Sequence, residues 1–99
     1  MINGIELIAA ERLRQIEVEG YDEKHDFLEP LDCIVSAAIS YAMVDIDRPE
    51  AAAWWKWDWK YWKPKDRKRN LIRAGALIAA ALDKILIREA FEASLKKED

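Results

Sequence analysis

Basic side chains crowd the stretch before and inside the start of the last predicted helix. Lys63 and Lys65 precede this helix, and residues 67–69 fill its first turn with arginine, lysine and arginine. Arg69 and Arg73 are four residues apart and share one helical face. A helix N-terminus is partially positive, so each cation there costs about 0.3–1 kcal/mol unless an anion lies nearby. Phosphate or carboxylate bound to the free backbone N–H groups reverses that cost, which indicates an anion site.

Aromatic side chains lie close to these cations in the sequence. The five tryptophans are Trp54, Trp55, Trp57, Trp59 and Trp62. Stacking of a base on an aromatic ring contributes about 1–3 kcal/mol, so rings beside a phosphate site favour a nucleotide ligand. In the alternative interpretation the lysines are solvated and the tryptophans fill the core. The candidate ligand-binding residues are Trp59, Trp62, Lys63, Lys65, Arg69, Asn70, Arg73, Arg14 and His25.

Catalytic and metal-binding groups are sparser than binding groups. His25 is the single histidine and can act as a base or a phosphate donor, but no serine or cysteine stands at a defined spacing from it. Carboxylates between residues 22 and 32 can gather a divalent cation, yet they also suit the start of a second helix, and we prefer that electrostatic interpretation. Cys33 is assigned to a buried apolar position.

The charge of the chain is unevenly distributed. The chain has 99 residues, of which 52% are hydrophobic, and a net charge of −3, which suits one domain with one core. Residues 56–73 carry eight basic side chains against Asp58 and Asp66, a local charge of +6, which leaves −9 for the remainder. The overall acidity argues against sequence-specific DNA binding, whereas the local patch favours a small anionic partner.

Targeting and redox features point to one compartment. The first residues lack the basic segment of a secretory signal, and the longest apolar run, 74–82, is far shorter than the roughly 20 residues that cross a bilayer. The single cysteine excludes an internal disulfide. We therefore expect a cytoplasmic protein without a membrane partner.

The spacing of apolar residues predicts an all-α chain, a compact bundle of three helices with short helical turns. The helices are expected at 5–19, 30–44 and 67–95, the last with Asp66 as its N-cap and without an internal proline. Pro30 is expected in the first turn of the second helix, and Pro49 is expected to break the chain after it. Residues 51–62 are expected to form short irregular or helical turns.

The first and third helices each present an apolar face. In the first helix the face expected to pack on the core consists of Ile5, Ile8, Ala9, Leu13 and Ile16. The stripe expected in solvent consists of Glu11, Gln15 and Glu19. The third helix, about 42 Å long, should overhang the first by several turns. The stripe on this overhang, Ile87, Ala90, Phe91 and Leu95, predicts a homo-oligomer formed through the C-terminal helix, unless a kink folds the tail back.

Several motifs together resemble a family of small all-helical proteins common in phages and prophages. They are Glu11–Gln15 (ERLRQ), Glu19–Tyr21 (EGY), His25–Asp26 (HD), Ala37–Ala38 with Tyr41–Ala42, and Trp62–Ile78 (WKPKDRKRNLIRAGALI), and the resemblance covers about residues 11–85. The family is distantly similar to all-α nucleotide pyrophosphohydrolases of the MazG type, which hold magnesium with clustered carboxylates. That similarity implies Glu11 and Asp26 as alternative metal ligands.

The chain departs from the family pattern at its acidic positions. Phe27, Glu29, Cys33 and Ala81 stand where acidic or histidine residues are expected, so the metal cluster is depleted, whereas the basic loop and helix start are retained. We therefore expect non-catalytic binding of a small phosphorylated ligand without a cofactor.

The resemblance to phage proteins suggests what this ligand is and where it is bound. It implies sequestration of a nucleotide second messenger of bacterial immunity, in the cytoplasm of an infected or lysogenic host. The alternatives are a magnesium-dependent pyrophosphohydrolase and an inhibitor that binds a host protein through the tryptophan-rich loop.

Overall fold

The computed structural model describes residues 2–18 and 30–97, and these residues form an all-α fold. The helices are α1 (Gly4–Val18), α2 (Leu31–Met43), α3 (Arg48–Trp54) and α4 (Arg67–Lys97), with a 3-10 turn at Trp59–Tyr61. The helix α4 packs against both α1 and α2, and α3 packs against α2. The prediction of an all-α chain with a long C-terminal helix is confirmed, as are the short helical turns before it.

Capping residues explain where the helices begin. The Asp66 side chain accepts a hydrogen bond from the Arg69 N–H at 2.9 Å, so Asp66 is the N-cap of α4, as predicted. The Asp47 side chain caps α3 in the same way, and Pro49 lies in the first turn of that helix. Pro49 therefore starts a helix as well as separating it from α2. Pro30 was expected in the first turn of α2 but is its N-cap, because the helix begins one residue later, at Leu31.

The buried core lies between α2 and α4. It is built from Ile34, Ala37, Ala38 and Tyr41 of α2, Ala74, Leu77, Ala80 and Ala81 of α4, and Trp55. Five of these residues are alanines, whose small side chains favour close packing of two helices, and Tyr41 and Trp55 contribute aromatic rings.

The orientation of α1 differs from the prediction. The face expected in the core is turned largely to solvent, since Ile5 is 80% exposed and Leu13 is also exposed. The stripe expected in solvent packs inward instead, because Glu11 and Gln15 are only 5% and 4% exposed. Glu19, the third member of that stripe, lies outside the described residues.

Pairing between polar groups permits this inverted burial. Arg14 donates to both carboxylate oxygens of Glu11, at 2.7–2.9 Å. Arg12 donates to Asp83 of α4 at 3.1 Å. Buried charges are tolerated when they are paired and hydrogen-bonded, so these pairs allow a polar α1 face to lie against α4. Among the described residues, Oε1 of the buried Gln15 finds no hydrogen-bond partner.

The last turns of α4 extend beyond the other described helices. From Ile85 to Lys96 the side chains are exposed, apart from the half-buried Ile87. The extents of 50 × 36 × 21 Å fit the overhang that was predicted for the last helix. Within the described residues, no helix combines the length and apolarity needed to cross a bilayer.

Gly75 provides a test of how closely α1 packs on α4. A Cβ atom at this position would lie 2.5 Å from Cδ1 and 2.8 Å from Cγ1 of Ile8. We expect Gly75→Ala to destabilise the protein by about 1 kcal/mol net, because the steric cost of about 1–3 kcal/mol exceeds the gain in helix propensity of up to about 1 kcal/mol. The urea-unfolding midpoint at fixed protein concentration measures this change.

The sign of the change in stability depends on whether Ile8 occupies the space beside position 75. In an Ile8→Ala background the space is open, and Gly75→Ala should then stabilise the protein through helix propensity alone. Gly4→Ala is the control, since nothing lies within 4 Å of that position. Equal effects of Gly75→Ala in both backgrounds would contradict the close packing of α1 on α4.

Candidate functional site

The buried side chain of Asn70 fixes the loop that carries two of the candidate lysines. Asn70 is 1% exposed, and its Oδ1 accepts a hydrogen bond from the Lys65 N–H at 2.7 Å. Its Nδ2 donates to the Lys65 carbonyl at 3.1 Å and to the Asp45 carboxylate at 2.9 Å. These bonds use the acceptor and both donors of the amide. Asn70 therefore positions the loop rather than offering groups to a ligand.

Arg73 and Tyr41 hold the other end of the same loop. The Tyr41 hydroxyl accepts a hydrogen bond from the Lys63 N–H at 3.1 Å. Arg73 donates through Nη1 to the Lys63 carbonyl at 3.2 Å and to the Tyr41 hydroxyl at 3.4 Å. Its guanidinium lies over the Tyr41 ring, 5.7 Å from the centroid. Arg73 is thus adjacent to Lys63, and its Nη1 is engaged by the loop and by Tyr41.

Trp62 is a half-buried ring with partners on three sides of the chain: Ser40, Arg48 and Trp59. Its Nε1 donates to Oγ of the fully buried Ser40 at 2.9 Å. The Arg48 guanidinium lies 5.2 Å from the centroid of Trp62, and Trp59 meets Trp62 edge to face at 5.5 Å. Trp59 itself is 58% exposed. These contacts join α3, the 3-10 turn and the loop into one surface.

The remaining tryptophans divide between the core and the surface. Trp55 is buried, donates through Nε1 to the Asp58 carbonyl at 3.1 Å, and packs edge to face with Tyr41 and Trp57. Trp54 lies exposed at the end of α3. Both interpretations of the tryptophans thus hold in part, because some rings fill the core and others remain accessible.

Three exposed cations, Lys63, Lys65 and Arg69, follow Trp62 along the chain. Within residues 2–18 and 30–97, no ion pair joins Lys63, Lys65 or Arg69 to a carboxylate. We name the group formed by Arg48, Trp59, Trp62, Lys63, Lys65 and Arg69 the aromatic–basic surface. The Arg69 N–H is already bound by Asp66, so an anion here would meet side chains rather than that amide.

The other candidate residues lie apart from this surface. Arg14 is on α1 and is paired with Glu11, so neither side chain is free for the role predicted for it. His25 and Asp26 lie outside the described residues. Cys33 is half-buried on α2. Among the described positions, no three His, Cys, Asp or Glu side chains gather as a metal site would require.

One member of the surface and two buried residues that anchor it were not predicted from the sequence. Arg48 stands well before the basic stretch, and Ser40 and Tyr41 read as ordinary positions of a packed helix. The preference of arginine for aromatic rings is the one signal that favours a role for Arg48, but it does not say which of the five tryptophans is the partner.

Comparison of this chain with protein-family models, with curated proteins and with solved structures finds no match.

The positioning role of Asn70 is testable by its effect on stability. We expect Asn70→Ala to lower the free energy of unfolding by about 1–3 kcal/mol, because the Asp45 carboxylate and the backbone of Lys65 lose their partners. Urea unfolding at fixed protein concentration measures the change. Arg69, the exposed neighbour of Asn70, provides the control. Arg69→Ala should change the free energy of unfolding by no more than about 0.5 kcal/mol. Equal stability of the two variants would contradict the assignment.

Proposed function

We propose that this chain binds a small phosphorylated ligand, a nucleotide, at the aromatic–basic surface and does not transform it. The observation that carries the proposal is the Trp59–Trp62 ring contact with the Arg48 guanidinium over Trp62, followed along the chain by exposed cations that form no ion pair within the described residues. Lys63 and Lys65 are exposed on the loop that presents Trp62, and Arg69 is exposed in the first turn of α4.

The chemistry of the surface suits both parts of a nucleotide. A base has a planar face that can stack on the exposed Trp59 ring, and stacking tolerates different bases. Phosphate oxygens accept hydrogen bonds from ammonium and guanidinium groups, and these charge-assisted bonds are stronger than neutral ones. Because Ser40 anchors Trp62 and Asn70 anchors Lys65, little ordering of the loop is needed on binding.

A biological role follows from the resemblance to phage proteins. A small protein that holds a nucleotide second messenger of bacterial immunity without cleaving it would act as a sponge in the cytoplasm of an infected cell. Cyclic dinucleotides and cyclic ADP-ribose derivatives fit the surface in chemical class, since each offers at least one base to stack and phosphates to neutralise.

The enzyme alternative has less support from the geometry. A pyrophosphohydrolase would need carboxylates free to hold magnesium, and both oxygens of Glu11 accept hydrogen bonds from Arg14. The described residues do not assemble a magnesium site. Chromatography of nucleoside triphosphates incubated with the protein and magnesium would detect turnover.

A protein-binding role is the second candidate, favoured by the exposure of Trp54, Trp59 and Tyr61. Exposed aromatic rings beside arginine are typical of the anchors of protein interfaces. The role would be favoured if nucleotides fail to bind, if the parent chain captures a host protein, and if Trp59→Ala abolishes that capture.

Stacking on Trp59 gives the first test of nucleotide binding. In titration calorimetry against cyclic di-AMP, cyclic ADP-ribose and ATP, we expect one of these ligands to bind and Trp59→Ala to weaken it about 5- to 150-fold, because stacking contributes about 1–3 kcal/mol. Trp54→Ala is the matched control, since that exposed ring makes no ring contact with Trp59 or Trp62. Equal losses in the two variants would argue against stacking on Trp59.

The cations give an independent test. We expect Lys63→Gln and Arg69→Gln each to weaken binding of the same ligand roughly three- to ten-fold and to reduce its salt dependence, because each removes one charge near the phosphates. Arg88→Gln removes an exposed cation from the far end of α4 and should leave affinity unchanged. Affinity that is insensitive to salt and to both substitutions would contradict the proposed site.

A further inference from the structure

The Arg48 guanidinium combines a ring contact with hydrogen-bond donors that the described residues leave unused. Arg48 is the first residue of α3, and it is exposed. Its guanidinium lies over the Trp62 ring, with Cζ 5.2 Å from the ring centroid. Within residues 2–18 and 30–97, the Arg48 side chain forms no hydrogen bond and no ion pair. The planar fork of its N–H groups is therefore available to a ligand.

The other two arginines of this region differ from Arg48. Arg73 also lies over a ring, that of Tyr41, but its Nη1 donates to the Lys63 carbonyl and to the Tyr41 hydroxyl. Arg69 is exposed, and none of the cation–ring contacts among the described residues includes it. Of these three arginines, Arg48 is thus the one that pairs a ring contact with unused donors.

The ring under Arg48 is anchored to the core. Trp62 packs against the buried cluster of α2 and α4, and its Nε1 donates to Oγ of Ser40 at 2.9 Å. A guanidinium that stacks on an indole is held by its face, so the N–H groups in its plane can still match a pair of phosphate oxygens. Because the ring contact restricts the arginine before a ligand arrives, less side-chain entropy is lost on binding. Arg48 is therefore better prepared to bind a phosphate than a solvated lysine is.

Arg48 and the exposed Trp59 ring lie against the same indole. The Trp59 centroid is 5.5 Å from the Trp62 centroid, and the Arg48 Cζ is 5.2 Å from it. The Trp59 ring and the guanidinium are therefore separated by no more than the sum of these two distances. Within so short a span, the phosphate that can reach Arg48 is the one on the sugar of a base stacked on Trp59.

We propose that Arg48 binds the first phosphate of the ligand, the one attached to the sugar whose base stacks on Trp59. Arg48 thereby makes the site specific for nucleotides over nucleosides. This inference rests on the proposed function and deepens it, because it defines the ligand class as a nucleoside with a phosphate directly on its sugar. Lys63 and Lys65, on the loop after Trp62, then serve phosphates that lie further from the base.

Removing the phosphate from the ligand tests this contact. In titration calorimetry the parent should bind AMP about 10- to 150-fold more tightly than adenosine, because hydrogen bonds to charged groups are stronger than neutral ones. Arg48→Met should lose most of this preference, with the adenosine affinity and the helical circular dichroism signal retained. Arg48→Lys keeps the charge without the fork and should retain only a small part of the preference. Arg88→Met removes an exposed arginine from the far end of α4 and should retain all of it.

The inference and the proposed function fail in different ways in these titrations. A preference for AMP that survives Arg48→Met would overturn the role of Arg48. If Trp59→Ala weakens AMP binding in the same experiment, the nucleotide site itself still stands. Equal affinity of the parent for AMP and adenosine would also overturn the inference, because no phosphate would then be recognised.

The Arg48 side chain gives a second readout that needs no nucleotide. In heteronuclear NMR spectra its Nε–H signal, assigned by its absence from Arg48→Lys, should shift when inorganic phosphate is added. The Nε–H signal of Arg88 should stay in place, and sodium chloride at the same ionic strength should move neither signal. A shift of the Arg48 signal without any nucleotide binding would support the phosphate contact and reject the proposed function. An unmoved Arg48 signal would overturn the inference even if nucleotides bind.

Discussion

Two hydrogen bonds of the buried Asn70 side chain hold the segment between the 3-10 turn and α4 in place, and a third ties Asn70 to Asp45 in the turn after α2. This segment has no regular structure, so its backbone groups need partners from side chains. Asn70 supplies them at Lys65, and Tyr41 with Arg73 supplies them at Lys63. Because Tyr41 is also a core residue, the placement of the exposed lysines depends on the packing of α2 against α4.

Much of the fold could be predicted from local rules. Apolar spacing indicated the three longer helices, and Asp66 marked the start of α4 because its side chain can accept from the N–H three residues on. The side on which α1 packs could not be predicted in this way. Spacing identifies an apolar face but not the molecule that covers it, and paired charges such as Arg12–Asp83 let the polar face turn inward.

The sequence predicts which residue types make up the candidate site. It does not predict which of them bind a ligand and which hold the loop in place. The cluster of lysines, arginines and tryptophans is visible in the sequence, and the structure brings Trp59, Trp62, Lys63 and Arg73 close together. Asn70 turned out to be a buried structural residue, because a loop without regular structure uses whichever amide the next helix offers. Arg48 arrives from a separate helix, a long-range contact that local patterns do not encode.

The contact between Ile8 and Gly75 has a consequence for how this chain can evolve. A side chain at position 75 and a branched side chain at position 8 cannot occupy the same space. Substitutions at the two sites should therefore be correlated across descendants of this sequence, with alanine or serine at 75 accompanied by a smaller residue at 8. Such a pair would record the approach of α1 to α4 in an alignment, even where every surface residue has drifted.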